Sequence, residues 1–255
     1  MPARMLLALA GLLWAAAVEA GPVAVRVPEG ALRGFLVLRA ADGRALADGE
    51  LVQNPRGERL ESRLTFRFKD GSLHDEAVVF TQHQVFALVS YRPVQRGPAF
   101  PQALDVRFQR SGEYAVRVRE SEQGPETAHE GRFDFPPDVA NGMALALVKN
   151  LPPGARAETH YVAFTPKPRV LALTLIPVGE DRFFIGDLGR TAVRYLAKLE
   201  LRGLTGAVAA LFGKRPPTLY YWIVAGEAPA FVKFEGPLYF GGPVWRVELT
   251  GPRWP

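Results

Sequence analysis

The residues best suited to chemistry in this chain are His74, Asp75 and Glu76, which follow the turn Asp70-Gly71-Ser72-Leu73. On a strand, His74 and Glu76 project to one face and Asp75 to the other. An imidazole and a carboxylate side by side can act as an acid–base pair or supply two ligands to a metal. A hydrolase or metal-dependent enzyme built on these three residues is therefore one reading. The other is a polar hairpin flank whose outward side chains are solvated, because a same-face pair alone lacks the third group that such chemistry requires. His83, His129 and His160 show neither an HExxH pattern nor close metal spacing. The chain has no cysteine and no Gly-x-Ser-x-Gly elbow to present a serine nucleophile. Gly203 and Gly206 precede an apolar segment but lack the Lys-Ser/Thr pair of a phosphate loop. No catalytic residue is assigned from these patterns, and no metal or cofactor is expected.

Aromatic residues give a second kind of candidate. Tyr220, Tyr221, Trp222, Phe231, Phe234, Tyr239, Phe240 and Trp245 crowd the last third of the chain. On alternating strands such residues form either a packed core or the wall of an apolar cavity, the usual form of a lipid or small-molecule site. The residues expected to touch such a ligand are Phe100, Met143, Leu147, Leu211, Phe212, Tyr221, Trp222, Phe234 and Trp245. The stiff loop 95–101 (QRGPAFP) offers a further surface, in which Arg96, Pro98 and Phe100 could meet a protein partner. Its alternative is a rigid connection with Phe100 tucked onto the core.

The elements that must position these residues are strands. Leu64, Phe66 and Phe68 alternate with polar neighbours, as do Leu104, Val106 and Phe108, then Tyr114, Val116 and Val118, and finally Trp245, Val247 and Leu249. Such alternation marks antiparallel strands with one buried face. Arg110-Ser111-Gly112 predicts a hairpin turn with Gly112 at positive φ. Glycine and proline pairs recur throughout and punctuate many short strands rather than one linker. Two segments break the pattern. Asp138 caps a predicted helix over Val139–Asn150 that is apolar on nearly every side, so it belongs inside the concave face of a curved sheet. The segment 203–214 (GLTGAVAALFGK) reads as a short apolar helix or turn that could serve as a movable lid, with Lys214 and Arg215 near lipid headgroups. The expected architecture is mainly β: a strongly curved antiparallel sheet or partly open barrel, covered or plugged by one or two short helices.

Residues 1–20 (MPARMLLALAGLLWAAAVEA) read as a cleavable export signal, with Arg4 before the apolar run Met5 to Val18 and small residues before Gly21. The run is shorter than the ~20 residues of a spanning helix, and no later segment is long and apolar enough to span a bilayer. Residues 21–255 are expected to form a single β-rich exported domain, periplasmic or secreted. Without disulfides it must be stabilised by its hydrophobic core. The formal net charge of +5 is spread along the chain, with no basic stripe to suggest nucleic acid.

The segments FKDGSLHDE (68–76), QRGPAFP (95–101), FPPDVANGM (135–143), TPKPR (165–169) and APAFVKFEGPLYFGGPVWRVEL (228–249) resemble a family of uncharacterised exported bacterial proteins over nearly all of the chain beyond residue 20. The strand pattern of 195–201, 219–222 and 231–236 is similar to curved-sheet periplasmic domains of the lipoprotein-carrier class. The family resemblance implies an envelope location and one β-rich domain; the carrier likeness implies a hydrophobic ligand. The leading expectation is an exported, non-enzymatic envelope protein that binds a lipid, acyl chain or partner segment in a concave sheet. The alternatives are the enzyme built on His74, Asp75 and Glu76, and a structural or protein-interaction domain using the 95–101 loop.

Overall fold

The computed structural model of the chain describes residues 18–120, 124–165, 167–200, 218–250 and 252–253. Most of the expected export signal, and the expected lid at 203–214 with Leu211 and Phe212, lie outside the described residues.

Among the described residues sixteen strands form one sheet. In chain order these are β1 (Val18–Ala20), β2 (Leu32–Arg39), β3 (Ala45–Arg56), β4 (Arg59–Phe68), β5 (Leu73–Gln82), β6 (Phe86–Arg96), β7 (Ala103–Gln109), β8 (Glu113–Arg119) and β9 (Glu126–Arg132). After the helix α1 (Ala144–Asn150) come β10 (Arg156–Thr165), β11 (Lys167–Ile185), β12 (Leu188–Glu200), β13 (Thr218–Val224), β14 (Ala230–Gly236), β15 (Trp245–Leu249) and β16 (Pro252–Arg253).

Strands β2 to β9 form one antiparallel meander and β10 to β15 another. The two are joined by antiparallel pairing of β15 with β2, which sets Arg246 opposite Arg39 and Leu249 opposite Leu36. β1 runs parallel to β10, and β16 pairs with the far end of β11. Among the described residues the path ends at β1 and β9, which do not pair with each other, so the curved sheet is not closed there. The mainly β architecture agrees with the alternation in the sequence. Gly112 takes φ +90° in the predicted β7–β8 hairpin.

Period-two patterning sends alternate residues into the concave interior. Leu60, Phe66, Val78, Phe80, Val106 and Phe108 from the first meander, and Leu173, Leu175 and Ala197 from the second, are all buried. The two walls meet side chain to side chain: the rings of Phe108 and Phe164 lie 5.4 Å apart, edge to face. The helix lies within this interior, with Ala146, Leu147 and Val148 buried, as its all-round apolar sequence requires.

The helix is shorter than the predicted Val139–Asn150, and Asp138 does not cap it. Gly142 adopts φ +69°, which a right-handed helix cannot contain, and Met143 stands at the N-cap position without a side-chain cap. The backbone from Asp138 to Asn141 instead bonds to β10. Ala140 N donates to the His160 carbonyl, and the Asn141 side chain both donates to the Val162 carbonyl and accepts from Val162 N. The Asp138 carboxylate lies 2.8 Å from His160 Nδ1.

A strap before β2 closes over the other end of the helix. Asn150 Oδ1 accepts from both Arg26 N and Val27 N at 2.7 Å, and Lys149 pairs with Glu29 at 2.7 Å. Among the described residues no helix is long and apolar enough to cross a membrane.

A candidate ligand cavity on the concave face

The strand registers build the polar part of the interior row by row. Ser62, Val78 and Tyr91 sit side by side on β4, β5 and β6, then Leu64, Glu76 and Pro93, then Phe66, His74 and Gln95. Facing them are Tyr161 and Ala163 of β10, Leu171 and Leu173 of β11, Tyr221 of β13 and Phe234 of β14. One end of the space is bounded by Gly142, Ala144, Leu145 and Ala146 around the start of α1. Between these walls lies a cavity of about 330 Å³. Its lining is mostly aliphatic and aromatic, with a few polar groups.

Glu76 is the one carboxyl group in that lining, and the lining contains neither lysine nor arginine among the described residues. Tyr91 Oη donates to Glu76 Oε2 at 3.0 Å, and Tyr161 is hydrogen-bonded to Tyr91. Burial pushes the Glu76 carboxyl above its ordinary value, although the Tyr91 bond pulls the other way. Burial, reinforced by the nearby Glu76 carboxyl, pushes Tyr161 up to about 12 and raises Tyr91 and Tyr221 well above the usual phenol value. The hydroxyls are therefore neutral at physiological pH.

His74 is enclosed between aromatic rings, 6.1 Å from Phe66 and 6.4 Å from Phe100 centre to centre. Burial lowers its pKa to about 4, outweighing the attraction of Asp75, so the imidazole is neutral. Gln95 Nε2 donates to the Leu238 carbonyl at 2.7 Å and lies 3.0 Å from His74 Nδ1. An amide nitrogen can only donate, so Nδ1 accepts and the imidazole proton sits on Nε2.

His74 and Glu76 do share a face, as the alternation requires, and among the described residues no further histidine, acid or base lines the cavity with them. Asp75 is on the opposite face, held by Arg63 through two 2.8 Å bonds and by Thr65 Oγ1 at 2.8 Å. Partial burial pushes its pKa upward, but Arg63 and Thr65 outweigh that and hold it below the ordinary value. Among the described residues no cluster of three histidine or carboxylate side chains could hold a metal ion.

The expected ligand residues fall into five groups. Tyr221 and Phe234 line the cavity, their rings 5.0 Å apart. Phe100 and Trp245 instead pack with Phe68 and Tyr239 in a neighbouring aromatic cluster, because Phe100 is drawn inward by edge-to-face contacts with all three rings. Met143 and Leu147 are sealed in the main core, on the side of the helix turned away from the cavity. Trp222 is on the other face of the sheet, as it must be if its neighbour Tyr221 points inward. There it donates to Asp181 at 2.7 Å, and Lys233 Nζ lies 3.8 Å from its ring centre. Leu211 and Phe212 are outside the described residues.

In the 95–101 loop Arg96 and Pro98 are exposed, but Phe100 is buried, so the loop presents no aromatic anchor. Ala99 N donates to Ser72 Oγ at 2.8 Å and pins the loop to the β4–β5 turn.

The cavity also contains residues that the sequence did not single out. Tyr91 and Gln95 occur in the run SYRPVQR, whose inward positions are tyrosine, proline and glutamine, so no apolar alternation marks that face. Tyr161 reaches Tyr91 from another meander. The available signal was the face that Glu76 shares with His74, which follows from the period alone.

No protein-family model matches the chain, and no curated protein matches it significantly. Among solved structures, it is similar to a beta-barrel-like protein of a domain of unknown function, DUF1849, from Brucella abortus, at 12% identity and a TM-score of 0.46, with 94% of this chain and 100% of that chain covered.

Proposed function

We propose that this chain is an exported envelope protein that binds an apolar ligand, a lipid or other acyl-chain molecule, on the concave side of its curved sheet. The observation that carries this reading is the cavity of about 330 Å³, walled by aliphatic and aromatic side chains with a few convergent polar groups. Interior space of that size is unusual, because protein cores pack to near-crystalline density. The export half of the proposal rests on the sequence of residues 1–20. Cleavage after Ala20 would remove β1 and expose the edge of β10 at Arg156–Glu158.

The full chain, expressed with its leader and purified from the envelope fraction without detergent, should carry an apolar molecule visible by native mass spectrometry and recovered in solvent extracts. N-terminal sequencing of the same material should begin at Gly21. Protein that is empty, and that takes up no alkyl probe when titrated, would overturn the binding proposal. Material retained in the cytoplasm with Met1 intact would overturn export.

A further inference from the structure

We propose that the ligand of this cavity carries a cationic nitrogen on an apolar skeleton, an alkylammonium group, and that Glu76 receives that nitrogen inside a wall of tyrosines. The inference rests on the cavity being a binding site and names the chemistry of the ligand's buried end.

Three observations converge. The first is the charge inventory: among the described residues one carboxyl group lines the cavity, with no lysine or arginine beside it, and the one imidazole is neutral, with its Nδ1 against Gln95. A buried carboxylate is normally paired or neutralised, and this one has no cationic partner within the lining. An anionic head would find no cation in the described lining, so a fatty-acid carboxylate or a phosphate is a poor match for that end.

The second is access. Glu76 is surrounded by protein, yet it is only half-buried by accessible area, because part of its side chain faces the cavity. Tyr91 occupies Oε2, and no hydrogen bond from a described residue reaches Oε1. An acceptor oxygen is thus free on the cavity side.

The third is the company that Glu76 keeps. Tyr91, Tyr161 and Tyr221 line the same space, and Tyr161 and Tyr221 also keep accessible surface there. Aromatic faces attract ammonium groups, and more strongly once water is excluded. A carboxylate flanked by tyrosine rings can receive the nitrogen by charge while the rings receive its methyl or methylene substituents. The aliphatic remainder of the cavity then takes the chain.

Isothermal titration with octyltrimethylammonium, octanol and octanoate compares three heads on one chain. The cation should bind at least about tenfold more tightly than octanol, a difference of ~1.4 kcal/mol, and octanoate should bind most weakly. Glu76→Gln keeps an acceptor for Tyr91 and should erase the preference while leaving octanol affinity within about twofold. Tyr161→Leu leaves the carboxyl in place and should weaken the cation several-fold, by roughly 2–5 times, without weakening octanol. Equal binding of the three heads, a preference for octanoate, or a cation preference that survives Glu76→Gln would overturn this inference and leave the cavity proposal standing. Failure of every head to bind would instead overturn the cavity proposal itself.

Discussion

Two neighbouring side chains of β5 make opposite demands on pH. The His74 imidazole takes a proton at about pH 6.5 in the unfolded chain but only near 4 in the native one. Its contribution to stability is complete above about pH 6.5 and is lost as pH falls toward 4, a difference of about 3 kcal/mol. Glu76 works the other way. Its raised pKa means that the native state holds a proton that the unfolded chain gives up, so stability declines as pH rises from the unfolded carboxyl value through the raised native one. Urea titrations from pH 7 to pH 4 should therefore show His74→Gln losing less stability than the wild-type chain on acidification. At pH 7 Glu76→Gln should unfold at higher urea than wild type, with the gap narrowing toward pH 4. Parallel curves for all three proteins would contradict both assignments. That His74 and Glu76 share a face was legible in the sequence, since period two decides it. That both are enclosed was not, because the burial of Glu76 depends on β10 and β13 and that of His74 on the packing of Phe100, none of which β5 itself reveals.

At the scale of elements, the segment from Asp138 to Asn150 is held by side chains that bond backbone. Asn150 ties the end of α1 to Arg26 and Val27, and its amide nitrogen donates to the Ala146 carbonyl within the helix. Asn150→Ala leaves two backbone donors without an acceptor and should cost about 2–4 kcal/mol in chemical denaturation. Protease cleavage should become faster within residues 21–31. A midpoint within error of wild type would show that the strap does not depend on this residue. Gly142 is the second control point. A Cβ there would lie 3.0 Å from the Val78 Cβ and 3.1 Å from the Tyr91 ring, on a backbone at φ +69°. Gly142→Ala should destabilise the fold by about 1–3 kcal/mol and shift Tyr91, with a matching change in near-ultraviolet circular dichroism. The apolar composition of 139–148 revealed an enclosed element, and the structure agrees. Its extent was not legible, because apolarity reports burial and says nothing of the partner. Asp138 looks like a helix cap locally and Asn141 falls inside the predicted helix, yet their bonds go to β10 more than twenty positions on.

Across the whole molecule, the cavity depends on two meanders being set face to face at a fixed separation. Filling it should block ligand without unfolding the chain. Ala144→Phe places a ring in the space beside α1 and should abolish uptake of an alkyl probe while moving the thermal midpoint by only a few degrees. Undiminished probe uptake would put the site elsewhere. Most of the strands are visible as alternation in the sequence, and with them the curved antiparallel class. The order of the sheet is less visible, since hairpins join local neighbours, whereas pairing β15 to β2 unites residues some two hundred positions apart. Nothing in WRVEL announces that its partner is LRGFLVLR.

That seam makes folding a matter of timing. Synthesis delivers β2 to β9 early, but the free edge of β2, with Leu36 and Leu38 on its inward face, finds its mate only when Arg246 to Leu249 have emerged. Pairings of such long range are slow to form, because a large loop must close before any contact is made. A chain ending before Trp245 should leave both meanders with a bare edge and accumulate as aggregate rather than as a smaller folded unit. Under the export proposal, in which the chain crosses a membrane as an unfolded thread, late pairing is an advantage: the sheet cannot lock until β15 is available to β2.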